Sequence, residues 1–311
     1  MKVLVSGGSG FLGSHVADAL AEKGHQVTLF DRTPSKYISD GQKEIIGNIL
    51  DKELLIDIVR SQDIVYHFAG IADIEDCLLS PSNTAMVNIV GTINLLEACR
   101  LSKVERFVFA STAYVYSDAG FFYRTSKQAC EQFIEDFHKL YGLEFTCIRY
   151  GSLYGERADL RNSIYSLLKQ ALSNGKIIYH GTGDEIREFI HVKDAAEMSV
   201  GILSPEYANE NITITGVEKY KYSELLSMVK EILGNQIEIE YLPSDREAHY
   251  KITPYNFTPK LGKKVTNNKY IDMGQGLLFC MMEVYEQLGM GNYEIGFGKK
   301  TQSDISSQIY V

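Results

Sequence analysis

The sequence lacks a disulfide framework. Its five cysteines, an odd count, stand at 77, 99, 130, 147 and 280 with irregular spacing and no CxxC pair. Most lie in apolar stretches, which makes inert buried thiols the expectation. The chain also lacks an excess of positive charge. With 31 Lys and Arg against 40 Asp and Glu, its net charge of −9 argues against nucleic acid or an anionic membrane surface as the main partner. No apolar run reaches membrane-spanning length. Residues 1–10 show no basic region followed by a long apolar stretch, so a signal peptide is not expected and a cytoplasmic location is. The seven histidines show no ligand spacing, so no metal is expected, and no internal repeat or low-complexity tract is evident. What is present is an ordinary globular composition, 45% hydrophobic over 311 residues. That suffices for one large α/β domain or a main domain with a smaller companion.

Short apolar runs at 2–6, 26–30, 63–68, 106–110 and 144–149 alternate with helix-length segments at 11–23, 51–61, 84–101 and 126–140. Alternation of this kind predicts an α/β fold of the Rossmann type, a doubly wound parallel sheet with helices on both faces. Strands buried on both sides explain the continuous hydrophobicity of these runs. After Arg149 the pattern loosens, with glycine and polar interruptions at 151–163 and 173–184 and a helical run at 222–233. We read this part as a smaller mixed α/β region. The expected division is a dinucleotide-binding domain over 1–150 with returning segments near 185–200, a substrate region over 151–290, and a C-terminal tail over 291–311.

Gly7, Gly10 and Gly13 form a GxxGxxG loop between the first strand and the first helix, with Phe11 and Leu12 inside it. Backbone N–H groups at a helix N-terminus must reach a pyrophosphate with no Cβ in the way, and glycines permit this. A glycine triplet alone is weak evidence. Here a strand precedes it, a helix follows, and Asp31 closes the second strand. A carboxylate there accepts hydrogen bonds from ribose hydroxyls and repels a 2′-phosphate, which favours NAD over NADP. Arg32 follows and softens that preference. Further on, Tyr123 and Lys127 make a YxxxK pair. A nearby cation favours phenolate and would lower the tyrosine pKa toward that of a useful base. The spacing alone means little in a chain with 20 tyrosines. Its place, after the run at 106–110 and the pair Ser111-Thr112, lends it weight.

Together these pieces resemble the extended short-chain dehydrogenase/reductase family, in its NAD-dependent sugar-nucleotide epimerase/dehydratase branch, which UDP-glucose 4-epimerase typifies. The matching segments are GGSGFLG at 7–13, Asp31, HFAG at 67–70, Asn88 with GTINLLEAC at 91–99, FASTAYVY at 109–116, Tyr123 with Lys127, RYGSLYG at 149–155 and GTGDEIREFIHVKDAA at 181–196. The resemblance implies that Thr112 hydrogen-bonds the reacting sugar group, that Tyr123 is the acid/base, and that Lys127 holds the nicotinamide ribose and tunes Tyr123. It assigns Asn48, Ile49, Phe68, Ala69, Gly70, Ser111 and Tyr150 to the cofactor cleft, with Ile49 near the adenine. Ser152, Arg187 and Arg246 fall to the substrate, Arg187 on the nucleotide's phosphates.

The resemblance further implies a UDP- or GDP-linked sugar as substrate, and a homodimer through the helices at 84–101 and 126–140. The expected reaction is 4-epimerisation through a transient 4-keto sugar. A C4 dehydrogenase or ketoreductase is the alternative, and a non-catalytic NAD-binding regulator is less in keeping with Thr112, Tyr123 and Lys127. Dehydration is disfavoured, because Ala113 and Tyr114 follow Thr112 where dehydratases of the branch carry an acid. The loop between Thr112 and Tyr123 is shorter than in relatives, and Ser152 replaces a common asparagine, so sugar identity does not carry over. Tyr114 and Tyr116 suit either the sugar or the core, His67 suits support of a strand-end turn, and His191 suits packing.

Overall fold

The computed structural model describes residues 1–243 and 249–254. Its strands are β1 (Lys2–Ser6), β2 (Gln26–Asp31), β3 (Lys43–Ile46), β4 (Ile64–His67), β5 (Arg106–Thr112), β6 (Glu144–Tyr150), β7 (Ser152–Tyr154), β8 (Lys176–His180), β9 (Ile186–His191), β10 (Glu210–Ile214), β11 (Lys219–Lys221) and β12 (Glu238–Leu242). The α-helices are α1 (Phe11–Glu22), α2 (Lys52–Val59), α3 (Ile74–Leu79), α4 (Pro81–Thr84), α5 (Gly91–Ser102), α6 (Phe121–Tyr141), α7 (Ser163–Asn174), α8 (Val192–Gly201) and α9 (Tyr222–Ile232). None of them is long and apolar enough to cross a membrane.

Seven strands form one parallel sheet in the order β10-β6-β5-β4-β1-β2-β3. The chain steps from β1 outward to β3, then returns to place β4 on the other side of β1. Such a reversal leaves a crevice at the carboxyl ends of the strands, where ligands bind in open α/β sheets. Alternate residues of β1 serve opposite faces. Leu4 packs with Leu55, Leu95 and Ile134 of α2, α5 and α6, whereas Val3 and Val5 pack with Val16 and Leu20 of α1 and Val200 of α8. This is the doubly wound fold that the alternating pattern predicts. A third core, of Leu167, Ile177 and Leu226, joins α7, β8 and α9 beyond the sheet.

Two predicted helices need correction. The segment 84–101 is interrupted: α4 and α5 are bridged by a π-helical turn at Ala85–Val90, with Asn88 buried within it. The Asn88 amide accepts from Ile71 N at 2.7 Å and donates to Ile71 O at 3.0 Å and Ser126 Oγ at 2.9 Å. Those bonds need the side chain turned inward, and a single wide turn supplies that re-aiming. The helix predicted over 126–140 starts earlier, at Phe121, because Gly120 takes φ +85° and turns the chain sharply into it.

Candidate active site

The glycine loop is built by contacts that forbid side chains. Gly7 takes φ +78°, and a Cβ there would lie 2.5 Å from Ala69 N. A Cβ on Gly13 would lie 2.2 Å from Gly7 O, so the loop and the start of α1 are pressed together. The N-cap of α1 is Gly10, which has no capping side chain, and no acid occupies the first turn. The positive end of the helix dipole is therefore left for an anion from outside the chain. Asp31, at the end of β2, accepts from Ser9 N at 3.2 Å and Thr33 N at 3.3 Å, which fixes its carboxylate beside the loop. These features fit a dinucleotide: open donors for a diphosphate and an oriented carboxylate for ribose hydroxyls.

One continuous cleft of about 2450 Å³ runs along the carboxyl ends of the strands. It is larger than the ~300–1,000 Å³ of a usual small-molecule pocket. Gly7, Gly10, Phe11, Leu12, Gly13, Asp31, Asn48, Ile49, Phe68, Ala69, Gly70, Ser111, Thr112, Tyr123, Lys127, Tyr150, Ser152 and Arg187 all line it. The structure thus brings together every site residue expected from the sequence except Arg246, which lies outside the described residues, as does Cys280. Four other cysteines, Cys77, Cys99, Cys130 and Cys147, are buried free thiols.

Several side chains are already engaged. Ser111 Oγ donates to Glu131 Oε1 at 2.5 Å, so its hydroxyl turns away to the floor of the site. The Tyr150 hydroxyl is taken by Ser199 Oγ at 2.5 Å, leaving its ring, 6.5 Å from that of Phe68, for the cleft. Asn48 Oδ1 accepts from Leu50 N at 3.0 Å and shapes the turn that buries Ile49. Arg187 is buried on β9, with Nη1 donating to Ile186 O at 2.9 Å and its guanidinium 4.2 Å from the centre of the Tyr250 ring.

Tyr123 and Lys127 lie one turn apart on α6, facing Thr112 at the end of β5. Lys127 Nζ donates to Ala110 O at 2.7 Å and sits 6.0 Å from the centre of the Tyr123 ring. Burial raises the Tyr123 phenol to about 12, and a hydrogen bond with Thr112 pulls only partly against it. Burial also lowers the Lys127 ammonium. In the protein alone the Tyr123 phenol is therefore raised, not lowered as expected from its pairing with Lys127: desolvation is the largest cause. Tyr123 stands as a neutral phenol, a proton donor until a ligand changes its surroundings.

Three residues weighed in the sequence take definite places in the structure. Tyr114 hydrogen-bonds His249 Nδ1 at 2.7 Å and packs 4.4 Å from Tyr250, forming an aromatic wall that leads from Tyr123 to Arg187. The sequence left Tyr114 open between the sugar and the core, and it lines the cleft. His191 packs its ring 5.2 Å from that of Tyr154, and it also ends β9, caps α8 through Lys193 N, and places Nε2 3.2 Å from Glu156 Oε2. His67 is buried at the end of β4 between Ser6 Oγ and Thr92 Oγ1, as its supporting role predicts.

A cleft at the switch point of a parallel sheet, with a glycine loop at one end and a Thr-Tyr-Lys set beyond it, defines a dinucleotide-dependent enzyme of the short-chain dehydrogenase type. The sequence profile described as the NAD dependent epimerase/dehydratase family matches residues 3–214. The chain is 30% identical over 297 residues to a putative UDP-glucose 4-epimerase of Methanocaldococcus jannaschii, covering 88% of this chain and 95% of that one. It is 28% identical to a UDP-N-acetyl-alpha-D-glucosaminuronate decarboxylase of Bacillus cytotoxicus, covering 88% and 92%. Among solved structures, a UDP-glucose 4-epimerase of Thermotoga maritima with UDP-glucose superposes with a TM-score of 0.76 at 25% identity, covering 93% of this chain and 100% of that one. The chain belongs to the NAD-dependent epimerase/dehydratase family: it is an NAD-dependent enzyme of nucleotide-sugar chemistry.

Proposed function

We propose that the protein is a nucleotide-sugar 4-epimerase, with the sheet and its helices holding NAD and residues beyond β6 holding a UDP- or GDP-linked sugar. The observation that carries this reading is the set Thr112, Tyr123 and Lys127 with no acid directly following Thr112 in the chain. Ala113 and Tyr114 follow Thr112, and Tyr114 is committed to His249. Bound NAD supplies a hydride acceptor, and the chain must then handle one proton at one hydroxyl. In this reading Thr112 orients the sugar C4 hydroxyl, and Tyr123 exchanges its proton. Lys127 supplies positive charge next to that exchange, and its bond to Ala110 O keeps it in place. Arg187 and the aromatic wall suit the nucleotide end, a guanidinium for phosphates and rings for stacking. A homodimer through α5 and α6 belongs to the same proposal: Leu101, Phe133, Leu140 and Tyr141 leave apolar side chains exposed on those helices.

The test is incubation of the purified protein with UDP- and GDP-sugars, products being read by mass and NMR. A product of unchanged mass inverted at C4 supports the proposal. A mass lower by two hydrogens assigns the alternative, C4 oxidation. Loss of carbon dioxide from a uronic acid, or no turnover of any sugar nucleotide, overturns epimerisation.

A further inference from the structure

Between β7 and α7 the chain runs as a strap, residues 155–162, of which 157–162 line the cleft together with the glycine loop. Arg157 is its oddest residue. It takes φ +66°, in the left-handed region that non-glycine residues rarely occupy, and such strain persists only where surrounding contacts enforce it. Its Nη2 donates to Asp18 Oδ2 on α1 at 2.7 Å, and the two side chains are only 23% and 20% exposed. The guanidinium lies 4.7 Å from the centre of the Tyr37 ring, in the loop after β2. Asp18 also accepts from Ser39 Oγ at 2.7 Å and Gln42 Nε2 at 3.0 Å, so the strap and the loop before β3 meet on one carboxylate of α1. One residue earlier, Glu156 O faces His15 Nε2 of α1 at 3.0 Å. Neither Asp18 nor His15 lines the cleft, and proton transfer at Tyr123 needs none of these residues.

Arg157 and Tyr37 do line the cleft, stacked 4.7 Å apart, and Tyr37 follows closely on Asp31 and Thr33, whose carboxylate–amide bond stands at the end of β2. We propose that Arg157, Asp18 and Tyr37 form a latch that holds the strap closed over the adenosine side of bound NAD and sets the rate at which the cofactor leaves. A ligand under a latched strap escapes only when the latch opens, so breaking the latch speeds release. Retention matters to any enzyme that must take back its own hydride before the sugar departs. The latch rests on the cofactor and not on which sugar reaction follows.

The experiment loads the purified protein with NAD and follows release by trapping free NAD with a second dehydrogenase in excess. Arg157→Ala and Asp18→Asn are each expected to raise the release rate about fivefold or more, the yield of a half-buried ion pair, and the double variant no more than either alone. Lys193→Ala, which removes the exposed Lys193–Glu156 pair of the same strap, is the control and should release NAD at the native rate. Unchanged release in Arg157→Ala overturns the latch, as does unchanged release in Asp18→Asn beside fast release in Arg157→Ala. Melting temperatures of the cofactor-free variants guard the reading. A variant that melts lower but releases NAD at the native rate also counts against it. Should Arg157→Ala not fold, Asp18→Asn preserves volume and carries the test alone.

Discussion

Tyr123 lines the cleft, buried beside Thr112 and with Lys127 Nζ 6.0 Å from its ring centre, and under the proposed function it exchanges the C4 proton. Burial favours its neutral form and pushes it up to about 12, while the same burial destabilises the charge on Lys127. The two effects oppose the use of Tyr123 as a base, so the protein without ligand should hold a phenol. In a difference titration of wild type against Tyr123→Phe, the extra phenolate absorbance of the cofactor-free protein is expected only well above pH 10. The sign for stability follows. The group favours the fold fully below its unfolded pKa of about 10, and that contribution is lost as pH rises toward 12. A phenolate seen near neutral pH would contradict the account. Turnover by Tyr123→Phe should fall by roughly a hundred- to ten-thousandfold with NAD still bound, since the substitution removes proton transfer and leaves the glycine loop intact.

Positioning of the reacting groups is a matter of elements. Glu131, one turn after Lys127 on α6, forms a buried pair with Arg149 of β6, with bonds of 3.0 and 2.7 Å, and accepts from Ser111 of β5. Arg149 also donates to the Tyr116 hydroxyl in the turn after Thr112. The network therefore clamps the helix that carries Tyr123 and Lys127 to the strand that carries Thr112. Glu131→Gln leaves a buried guanidinium without its counter-charge and should cost about 3 kcal/mol in urea denaturation, whereas Ser111→Ala should cost only about 1 kcal/mol. Equal losses would mean that the charge pair does not hold the clamp. None of this network was readable from spacing, because Glu131 and Arg149 meet only once α6 packs on the sheet. What was readable depended on local signals. β1, the glycine loop, α1 and Asp31 show themselves through hydrophobic runs and conformational demands that act within 31 residues. The start of α6 did not, since the left-handed turn at Gly120 precedes two phenylalanines that suit loop or helix alike. The edge strand β10, sequence ENITI, was missed because half-buried polar residues give it no continuous apolar run.

At the scale of the molecule, a titratable group is buried at the end of β4, against Phe107 and Phe109 of the core under α5 and α6. His67 is buried with its ring between Ser6 Oγ at 3.3 Å and Thr92 Oγ1 at 2.9 Å, and Thr92 in turn donates to Asn88 O in the π turn. Burial is the main cause that lowers this imidazole to about 3, with the Lys127 ammonium adding to it. The folded protein therefore holds His67 neutral where an unfolded chain would take up a proton. Its contribution to stability is complete above the unfolded pKa of about 6.5 and is lost as pH falls toward 3, at a slope of at most about 1.4 kcal/mol per pH unit. Denaturation midpoints measured between pH 7 and 4 should decline along that slope in the wild type. In His67→Gln, which keeps hydrogen-bonding capacity and removes the titration, the decline should be shallower even where the variant starts less stable. Parallel curves for the two proteins would show that acid instability arises elsewhere. A shallower one would tie the acid limit of the whole fold to a residue that joins the strand end beside the glycine loop to the helix layer beneath Tyr123 and Lys127.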